Sequence, residues 1–285
     1  MFKIQGVVVL YNQEELVLEN IKSYIYDLER LYVVDNSETK NIELIEKIKS
    51  LSSNIIYIDN NGNQGIAHAL NIGARLAIED GAAWIFTMDQ DSRFMNGSLD
   101  VLIGWIKNND TVKLGILSPF HLVNHMDYTK SDKVVDVLSV MTSGNILNLE
   151  VYKIVGPFDE RYFIDQVDNE YCLRLRKNGF LVKVHYGSIL IHRLGNPTLK
   201  IILGKKKLSI NHNHIRMYYI TRNRFYTIKK YFFTSPKFAF SEFKTIILEW
   251  IKIILFDEDK KLKSKFIVLG FYHFLIGRHG KLYKS

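Results

Sequence analysis

This 285-residue chain has a single cysteine, Cys172, and no apolar run that approaches the roughly 18 residues of a membrane-spanning helix. One cysteine excludes an internal disulfide framework and fits a reducing compartment. The neighbours of Cys172 predict a small buried hydrophobe rather than a reactive thiol. The first ten residues lead directly into a predicted strand and lack the apolar core of a signal peptide. We therefore expect a cytoplasmic protein.

Two common nucleotide-binding motifs are also missing. No Gly-x-Gly-x-x-Gly follows the first predicted strand, which argues against a dinucleotide-dependent oxidoreductase, and no P-loop sequence is present. There are no repeats and no low-complexity segments. The length is sufficient for one substantial core plus an appendage.

Acidic residues are scarce in the last part of the chain. From Lys200 onward there are 19 Lys and Arg against 5 Asp and Glu, whereas the residues before Lys200 carry a net charge of −6. This division predicts two surfaces with different partners, although a solvated helical face would have the same composition. A nucleic-acid-binding protein also fits a basic, aromatic segment. We expect no nucleic-acid partner, because no recognised binding motif is present and the first part is acidic.

Strands and helices alternate regularly over the first ninety residues. Predicted strands cover 6–11, 31–34, 55–58 and 83–88, and predicted helices cover 14–28, 42–51 and 65–80. Such alternation is typical of a mainly parallel sheet with helices on both faces. Ligands of these sheets bind beyond the carboxyl ends of the strands.

The second half is less regular. Predicted strands cover 114–118, 134–141, 146–149, 181–186 and 189–192, around a short helix at 168–177. After Lys200 the pattern becomes helical, with predicted helices at 214–232, 237–255 and 263–276. The expected fold is therefore a mixed α/β sheet followed by a helical extension.

Two aspartates end the fourth predicted strand. Asp89 and Asp91 are separated by one residue, so on an extended segment both carboxylates point the same way. Two anions this close repel each other unless a cation lies between them, and their oxygen atoms suit Mg²⁺ or Mn²⁺. The pair therefore predicts a metal site that clamps a diphosphate, although a solvated turn is the common alternative for this short motif.

An ordered series of motifs runs through about residues 4–225. It consists of Val7-Val-Val-Leu-Tyr11-Asn12, Asp35-Asn36-Ser37, Asn61-Gly-Asn63-Gln-Gly65 with the small residues up to Gly73, Asp89-Gln-Asp91-Ser92, Ser143-Gly144-Asn145, Phe163 to Arg174, the strand ending at His192, and Arg216 to Asn223. In this series the chain resembles family 2 glycosyltransferases of the type A (GT-A, Rossmann-like) fold, which bind a nucleotide-sugar and transfer its sugar with inversion. The Asp-Gln-Asp-Ser form and the last box look most like bacterial rhamnosyltransferases that use dTDP-L-rhamnose.

The resemblance implies a role for each of these residues. The implied donor-binding residues are Tyr11, Asn12, Asp35, Asn36, Asn63, Gly65, Asp89, Ser143, Gly144 and Arg222; the implied metal ligands are Asp91, Asp89 and His192; and the implied catalytic base is Asp168. Asp35 or Ser37 would serve equally well as a helix N-cap, and the small residues up to Gly73 would also suit helix–sheet packing.

The base position departs from the family pattern in one respect. Many members have Glu-Asp there, whereas this chain has Val167-Asp168. The base is retained but its acidic neighbour is lost, so Asp165 or Glu170 is the expected source of any pKa tuning. The box around Arg222 is predicted to close over the diphosphate, and an amphipathic helix that packs on the main domain is its alternative.

We accordingly divide the chain into a nucleotide-sugar-binding catalytic domain at 1–200 and a basic, aromatic helical extension at 201–285. The extension has three candidate roles: donor closure, attachment to an anionic membrane surface, and subunit contacts in a homo-oligomer. The expected donor is dTDP-L-rhamnose, with a UDP-hexose as the alternative, and the expected acceptor is a saccharide, either free or polyprenyl-linked, in surface polysaccharide synthesis. Attachment would place the protein on the inner face of the plasma membrane. A non-catalytic nucleotide-binding module is the alternative of another class.

Overall fold

The computed structural model describes residues 4–123, 128, 131–192, 197–202, 205–210, 212–257 and 259–282. Its strands are β1 Ile4–Leu10, β2 Arg30–Asp35, β3 Ile55–Asp59, β4 Trp84–Asp89, β5 Ser92–Phe94, β6 Leu114–Val123, β7 Val134–Asp136, β8 Asn145–Asn148, β9 Leu181–His192, β10 Pro197–Ile202 and β11 Lys205–Ile210. Its α-helices are α1 Leu16–Lys22, α2 Ile42–Ser50, α3 Ile66–Glu79, α4 Ser98–Asn108, α5 Leu149–Val155, α6 Val167–Lys177, α7 His214–Tyr231, α8 Pro236–Phe256 and α9 Lys260–Leu275.

Contacts divide the chain into two compact units. The first, the catalytic unit, is Met1–Phe163 with Val167–Arg193, and the second, the helical unit, is Leu194–Ser285 with Ile164–Gln166. The sequence predicts a division at residue 200, whereas contacts divide the chain after Arg193 and also group the three residues before α6 with the helical unit.

One sheet organises the catalytic unit. Among the described residues its strand order is β3-β2-β1-β4-β8-β6-β9-β5, with β7 also paired to β9. Strands β1 to β4 are parallel, and β8 runs antiparallel to both β4 and β6. The expectation of a mixed, mainly parallel α/β sheet flanked by helices is confirmed.

Strand β1 lies inside the sheet, paired to β2 on one side and to β4 on the other. All seven of its residues are buried. Helix α3 crosses it at Gly73, where a Cβ atom would lie 2.4 Å from Val7 Cβ. The small residues of this helix therefore serve helix–sheet packing, the alternative that the sequence left open for Gly73.

Several predicted elements differ from the structure. The helix predicted over 14–28 is broken into α1 and a 3₁₀ turn at Ile25–Asp27, where the Ser23 hydroxyl donates to the Asn20 carbonyl and competes with the helical pattern. The strand predicted to Met141 ends at Asp136. The two strands predicted at 181–192 are one continuous strand, and β5, α4 and α5 were missed.

The helical unit contains one β-hairpin and three long helices. Strands β10 and β11 pair antiparallel, whereas the sequence predicted that this region turns directly helical. Helix α9 crosses α7 closely at Gly270, where a Cβ atom would lie 2.6 Å from the Tyr218 carbonyl oxygen. Among the described residues, no helix combines the length and apolar character needed to cross a bilayer.

Candidate active site

Three parallel strands end at the same edge of the sheet, and each carries predicted donor-binding residues. Leu10 of β1 is level with Asp35 of β2, and Val9 is level with Asp89 of β4. Neighbouring strands are about 4.8 Å apart, so the backbones of Asp35 and Asp89 are separated by roughly 10 Å with β1 between them. The strand order alone therefore brings these two carboxylates to one edge.

Asp35 is completely buried and bonded on both oxygens. Its Oδ1 accepts from the Ser37 N–H at 2.8 Å and its Oδ2 from the Tyr57 hydroxyl at 2.8 Å. Burial, and then the bond to Asp35, raise the pKa of Tyr57. The Lys40 ammonium lies 3.8 Å from Oδ2 and balances the charge. Carboxylate oxygens have two lone pairs each, so one acceptor site per oxygen remains beyond these partners.

The alternative role of Asp35 or Ser37 as a helix N-cap is wrong. Helix α2 is capped by Asn41, whose side chain accepts from the Leu44 N–H. The Ser37 hydroxyl instead accepts from the Asn12 N–H at 2.8 Å. That bond holds Asn12 at a φ of 46°, in the left-handed region, and so fixes the turn after β1.

Gln90, between the two predicted metal-binding aspartates, has a role that the sequence did not reveal. Its side chain accepts from the Tyr11 N–H at 2.7 Å and donates to the Tyr11 carbonyl at 2.9 Å. Its own carbonyl accepts from Asn20. Gln90 thus ties the end of β1 to the turn after β4, while the Tyr11 side chain stays exposed.

Asn36, Asn63 and Gly65 form one hydrogen-bonded group beside β2. Asn36 Nδ2 donates to the Gly65 carbonyl at 3.2 Å, and Asn63 Oδ1 accepts from the Gly65 N–H at 3.0 Å. Asn36 also accepts from Asn60 at 2.6 Å. The sequence predicted donor-binding roles for these residues, and the structure brings all three together at the start of α3.

The N-terminus of α3 is capped by a backbone carbonyl. The Ile66 N–H donates to the Phe163 oxygen at 2.8 Å. Gly65 has a φ of +95°, and a Cβ atom there would lie 2.7 Å from the same oxygen. The glycine therefore allows Phe163 to approach, and the Ile66 N–H at the start of α3 is already bonded.

Asp89, Asp91 and His192 come together as a candidate metal group. One ligand atom from each lies within 4.8 Å of the others. Asp89 ends β4 and Asp91 lies in the following turn, so the turn, rather than the alternation of a strand, brings the two carboxylates together. Two carboxylates and an imidazole are a donor set that suits a divalent cation.

His192 reaches this group through a strand pairing. Ser92 of β5 is level with His192 of β9. The Ser92 hydroxyl lies 2.5 Å from His192 Nδ1, and Asp91 Oδ1 lies 3.5 Å from the same nitrogen. The pairing joins residues that are 100 positions apart, which is why spacing along the chain could not show it.

The Ser143-Gly144 loop lies against the end of β4. The Asp89 N–H donates to Ser143 Oγ at 3.1 Å, and the Gly144 N–H donates to the Thr87 carbonyl at 2.7 Å. Gly144 has a φ of +82°, and a Cβ atom there would lie 2.8 Å from Pro119 Cγ. Both predicted donor-binding residues are therefore fixed beside the metal group.

His121 supports this loop and was not predicted from the sequence. Its Nε2 lies 2.6 Å from the Ser143 carbonyl oxygen, so Nε2 carries the proton and donates. The pKa of His121 is lowered to about 4, chiefly by burial, while the Ser143 carbonyl raises it and the nearby His192 lowers it by smaller amounts. The imidazole is therefore neutral at physiological pH.

Asp168 occupies the first turn of α6 and is partly buried. Its Oδ1 accepts from the Asn169 N–H at 2.8 Å. It lines a small cavity that also contains Thr142 and Asn145, the residues that flank Ser143-Gly144. The predicted base therefore lies near the two residues that flank Ser143-Gly144, within the catalytic unit.

The two acids predicted to tune Asp168 have other partners. Glu170 is buried and forms an ion pair with Arg174 at 2.9 Å, while Asp165 pairs with Arg216 at 3.1 Å within the helical unit. Cys172, which lines the same cavity as Asp168, is a buried free thiol as predicted. Burial raises its pKa to about 12.

Arg222 is fully buried inside the helical unit. Its guanidinium donates to the Tyr218 hydroxyl at 3.1 Å, to Asn223 at 3.0 Å and to the Gly280 carbonyl at 2.8 Å. It also lies 5.2 Å from the ring centroids of Tyr218 and Tyr219. Contact between Arg222 and a diphosphate stays a prediction, and the contacts in the structure are those of a packing residue.

Comparisons with known proteins agree with this geometry. Residues 7–169 match the family model "Glycosyl transferase family 2". A Shigella flexneri protein, dTDP-rhamnosyl transferase RfbF, is 31% identical over an alignment of 248 residues, and the match covers 78% of this chain and 78% of that one.

Solved structures support the fold. The chain matches GalNAc-T7 with UDP, GalNAc and Mn²⁺ at a TM-score of 0.61 and 14% identity, covering 96% of this chain and 56% of that one. It matches Staphylococcus aureus TarS 1–349 in complex with UDP-GlcNAc at 0.51 and 13% identity, covering 96% and 73%. The family model matches more than half of the chain, and the predicted donor-binding residues and the Asp-Asp-His group lie where the strands of the sheet end. This chain is therefore a glycosyltransferase and belongs to glycosyltransferase family 2.

Proposed function

We propose that this protein transfers L-rhamnose from dTDP-L-rhamnose to a hydroxyl group of a saccharide acceptor, with inversion at the anomeric carbon. The carrying observation is that Asp168 lines a small cavity with Thr142 and Asn145, the chain neighbours of Ser143-Gly144, while Ser143 bonds the backbone of Asp89 in the Asp-Asp-His group. The choice of donor is supported by the 31% identity to a dTDP-rhamnosyl transferase.

Asp168 is the proposed general base. The carboxylate takes the proton from the acceptor hydroxyl while the hydroxyl oxygen forms its bond to the anomeric carbon and the bond to the nucleoside diphosphate breaks. Attack from the side opposite to the leaving group gives inversion, and no sugar–enzyme intermediate forms. Asp89, Asp91 and His192 would hold Mg²⁺ or Mn²⁺, which when bound neutralises charge on the diphosphate.

The base assignment is tested by Asp168→Asn, which keeps the size of the side chain but cannot take the proton. We expect release of nucleoside diphosphate to fall by about 10²–10⁴-fold, with the affinity for dTDP within about twofold of the parent. Glu150→Gln is the matched control because Glu150 also lies in the first turn of a helix and its exposed side chain contacts only Lys153 among the bonds described. Normal turnover by Asp168→Asn would refute the assignment.

The donor is tested by a screen of dTDP-L-rhamnose against UDP-hexoses, with Mg²⁺ or Mn²⁺ present. We expect the highest rate of acceptor-dependent turnover with dTDP-L-rhamnose. A higher rate with a UDP-hexose would favour the alternative donor. The metal site is tested by nucleotide binding with and without EDTA: Asp91→Ala should remove the EDTA-sensitive part of the affinity, and an unchanged response to EDTA would contradict the site.

We also propose that the acceptor is lipid-linked and that helix α8 attaches the protein to the anionic inner leaflet of the plasma membrane. The outer side of α8 has exposed apolar residues at helical spacing, namely Phe240, Phe243, Ile247, Ile251, Ile254 and Leu255. Both of its acidic residues, Glu242 and Glu249, pair with Arg224 of α7. The other charged residues of α8 are Lys237, Lys244 and Lys252, and an exposed apolar face on a helix with lysines is typical of interfacial helices.

Membrane attachment is tested by co-sedimentation of the full chain with vesicles that contain anionic lipid, against vesicles of neutral lipid. We expect the triple variant Phe243→Ser, Ile247→Ser, Ile251→Ser to lose at least about tenfold in vesicle affinity. Ile42→Ser with Ile154→Ser is the control, because both residues are more exposed than those of the triple variant but lie on helices of the catalytic unit. Equal vesicle binding by the triple variant would contradict the proposal. A dimer mass in light-scattering measurements that the triple variant lowers to a monomer mass would also contradict it, because a second copy would then cover the apolar face.

A further inference from the structure

The segment just before α6 has an uncommon backbone. Phe163, Asp165 and Gln166 have φ values of 64°, 61° and 67°, and none of them is a glycine. Side chains of L-residues disfavour this region, and such conformations persist only where the surrounding structure holds them. Val167 then begins α6, so Asp168 follows this segment by two residues.

Asn223 of α7 holds the backbone of this segment through hydrogen bonds. Its side chain is fully buried, and its Nδ2 donates to the carbonyl oxygens of Ile164 at 2.6 Å and of Asp165 at 3.2 Å. An amide nitrogen has two hydrogens, so both are directed at consecutive backbone groups. Its Oδ1 accepts from Arg222 Nε at 3.0 Å, which fixes the orientation of the amide.

The side chains of the segment are held by the same unit. Asp165 Oδ1 accepts from Nε and Nη2 of Arg216, at 3.3 and 3.1 Å. Gln166 Nε2 donates to Glu242 of α8 at 3.2 Å, and Glu242 pairs with Arg224 at 3.0 Å. These contacts explain why residues 164–166 belong with the helical unit, whereas their chain neighbours belong with the catalytic unit.

We infer that Asn223, supported by Arg216, is a positioning residue for Asp168. Its hydrogen bonds to Ile164 and Asp165 hold the backbone that leads into the first turn of α6, which carries Asp168. The inference rests on the proposed role of Asp168 as base. It gives the motif around Arg216 and Asn223 a role in orienting the base rather than in binding the donor. Misplacement of a reacting group by about 1 Å costs on the order of 10²-fold in rate.

A double-mutant cycle tests this inference. Asn223→Ala should lower kcat by about 10–100-fold while KM for the donor and the affinity for dTDP stay within about twofold. In the Asp168→Asn background the same substitution should have almost no further effect, because the group that it positions has already been removed. Tyr226→Phe is the matched control: it removes hydrogen bonds from α7 to the carbonyls of His273 and Arg278 and should leave kcat unchanged.

A second cycle uses Arg216→Gln. The Arg216 side chain is about half exposed, so we expect this variant to fold. If the Asn223→Ala protein does not fold, the Arg216→Gln cycle decides the question. We expect a several-fold fall in kcat, again absent in the Asp168→Asn background. An equal fall in both backgrounds, a fall confined to donor affinity, or unchanged kcat for both substitutions would overturn the inference. Normal turnover by Asp168→Asn alone would instead refute the proposed base, so the two failures are distinguishable.

Discussion

The substitution Gly65→Ala should lower the stability through two effects, backbone strain and steric overlap. Gly65 has a φ of +95°, and an added Cβ would lie 2.7 Å from the Phe163 oxygen and 3.0 Å from its Cα. Real Cβ contacts are almost never this short, and the opposing atoms are backbone, which moves less easily than a flexible side chain. We therefore expect both costs at this position.

Gly62 provides the matched control. Its φ is +92°, close to that of Gly65, but the nearest atom to an added Cβ is Glu38 Cγ at 3.8 Å, an ordinary contact. Gly62→Ala should therefore cost only the strain, about 1–3 kcal/mol. Gly65→Ala should cost the same strain plus about 1–3 kcal/mol of overpacking.

Thermal unfolding provides the measurement. For a unit of this size, 1 kcal/mol corresponds to about 2–4 °C in Tm. Gly65→Ala should therefore melt roughly 2–12 °C below Gly62→Ala. The two variants should also differ in turnover, because Gly65→Ala displaces Phe163, five residues before Asp168. Equal Tm values for the two variants would refute the reasoning, since they would mean that Phe163 does not press on Gly65 in solution.

Three further predictions concern single side chains. Asn71→Ala should lower the stability by about 2–4 kcal/mol in urea unfolding, because Asn71 bonds the N–H and the carbonyl of Phe158 and the Tyr152 hydroxyl; a loss below about 0.5 kcal/mol would contradict those bonds. Cys172 should react with a thiol reagent at pH 8 at least about 10³-fold more slowly in the native than in the denatured protein, because burial raises its pKa to about 12; rapid native reaction would show that α6 opens. His192→Ala should weaken Mn²⁺ binding by about tenfold or more, measured by calorimetry, whereas unchanged affinity would remove His192 from the Asp-Asp-His group.

The first half of the fold was predictable because its signals are local. Alternating apolar runs and helical patterns identified β1 to β4 and α2 and α3 within a few residues, and parallel strands necessarily bring their carboxyl ends to one edge. Asp35 and Asp89 were placed correctly at that edge for this reason. Two of the missed elements are short: β5 has three residues and α5 has seven, too few for periodicity to be distinct. Helix α4, with eleven residues, was also missed, and its length does not explain this.

What only the tertiary structure decided are the contacts between distant parts of the chain. His192 reaches Asp91 because β5 pairs with β9, and Asn223 reaches Ile164 because α7 packs beside the segment before α6. The sequence by itself determined the α/β pattern, the motif series and the chemistry available to it, since these depend on residue type and on neighbours a few positions away. The sequence did not determine that Arg222 and Asn223 of α7 are buried inside the helical unit, because which side of a helix is buried depends on what packs against it.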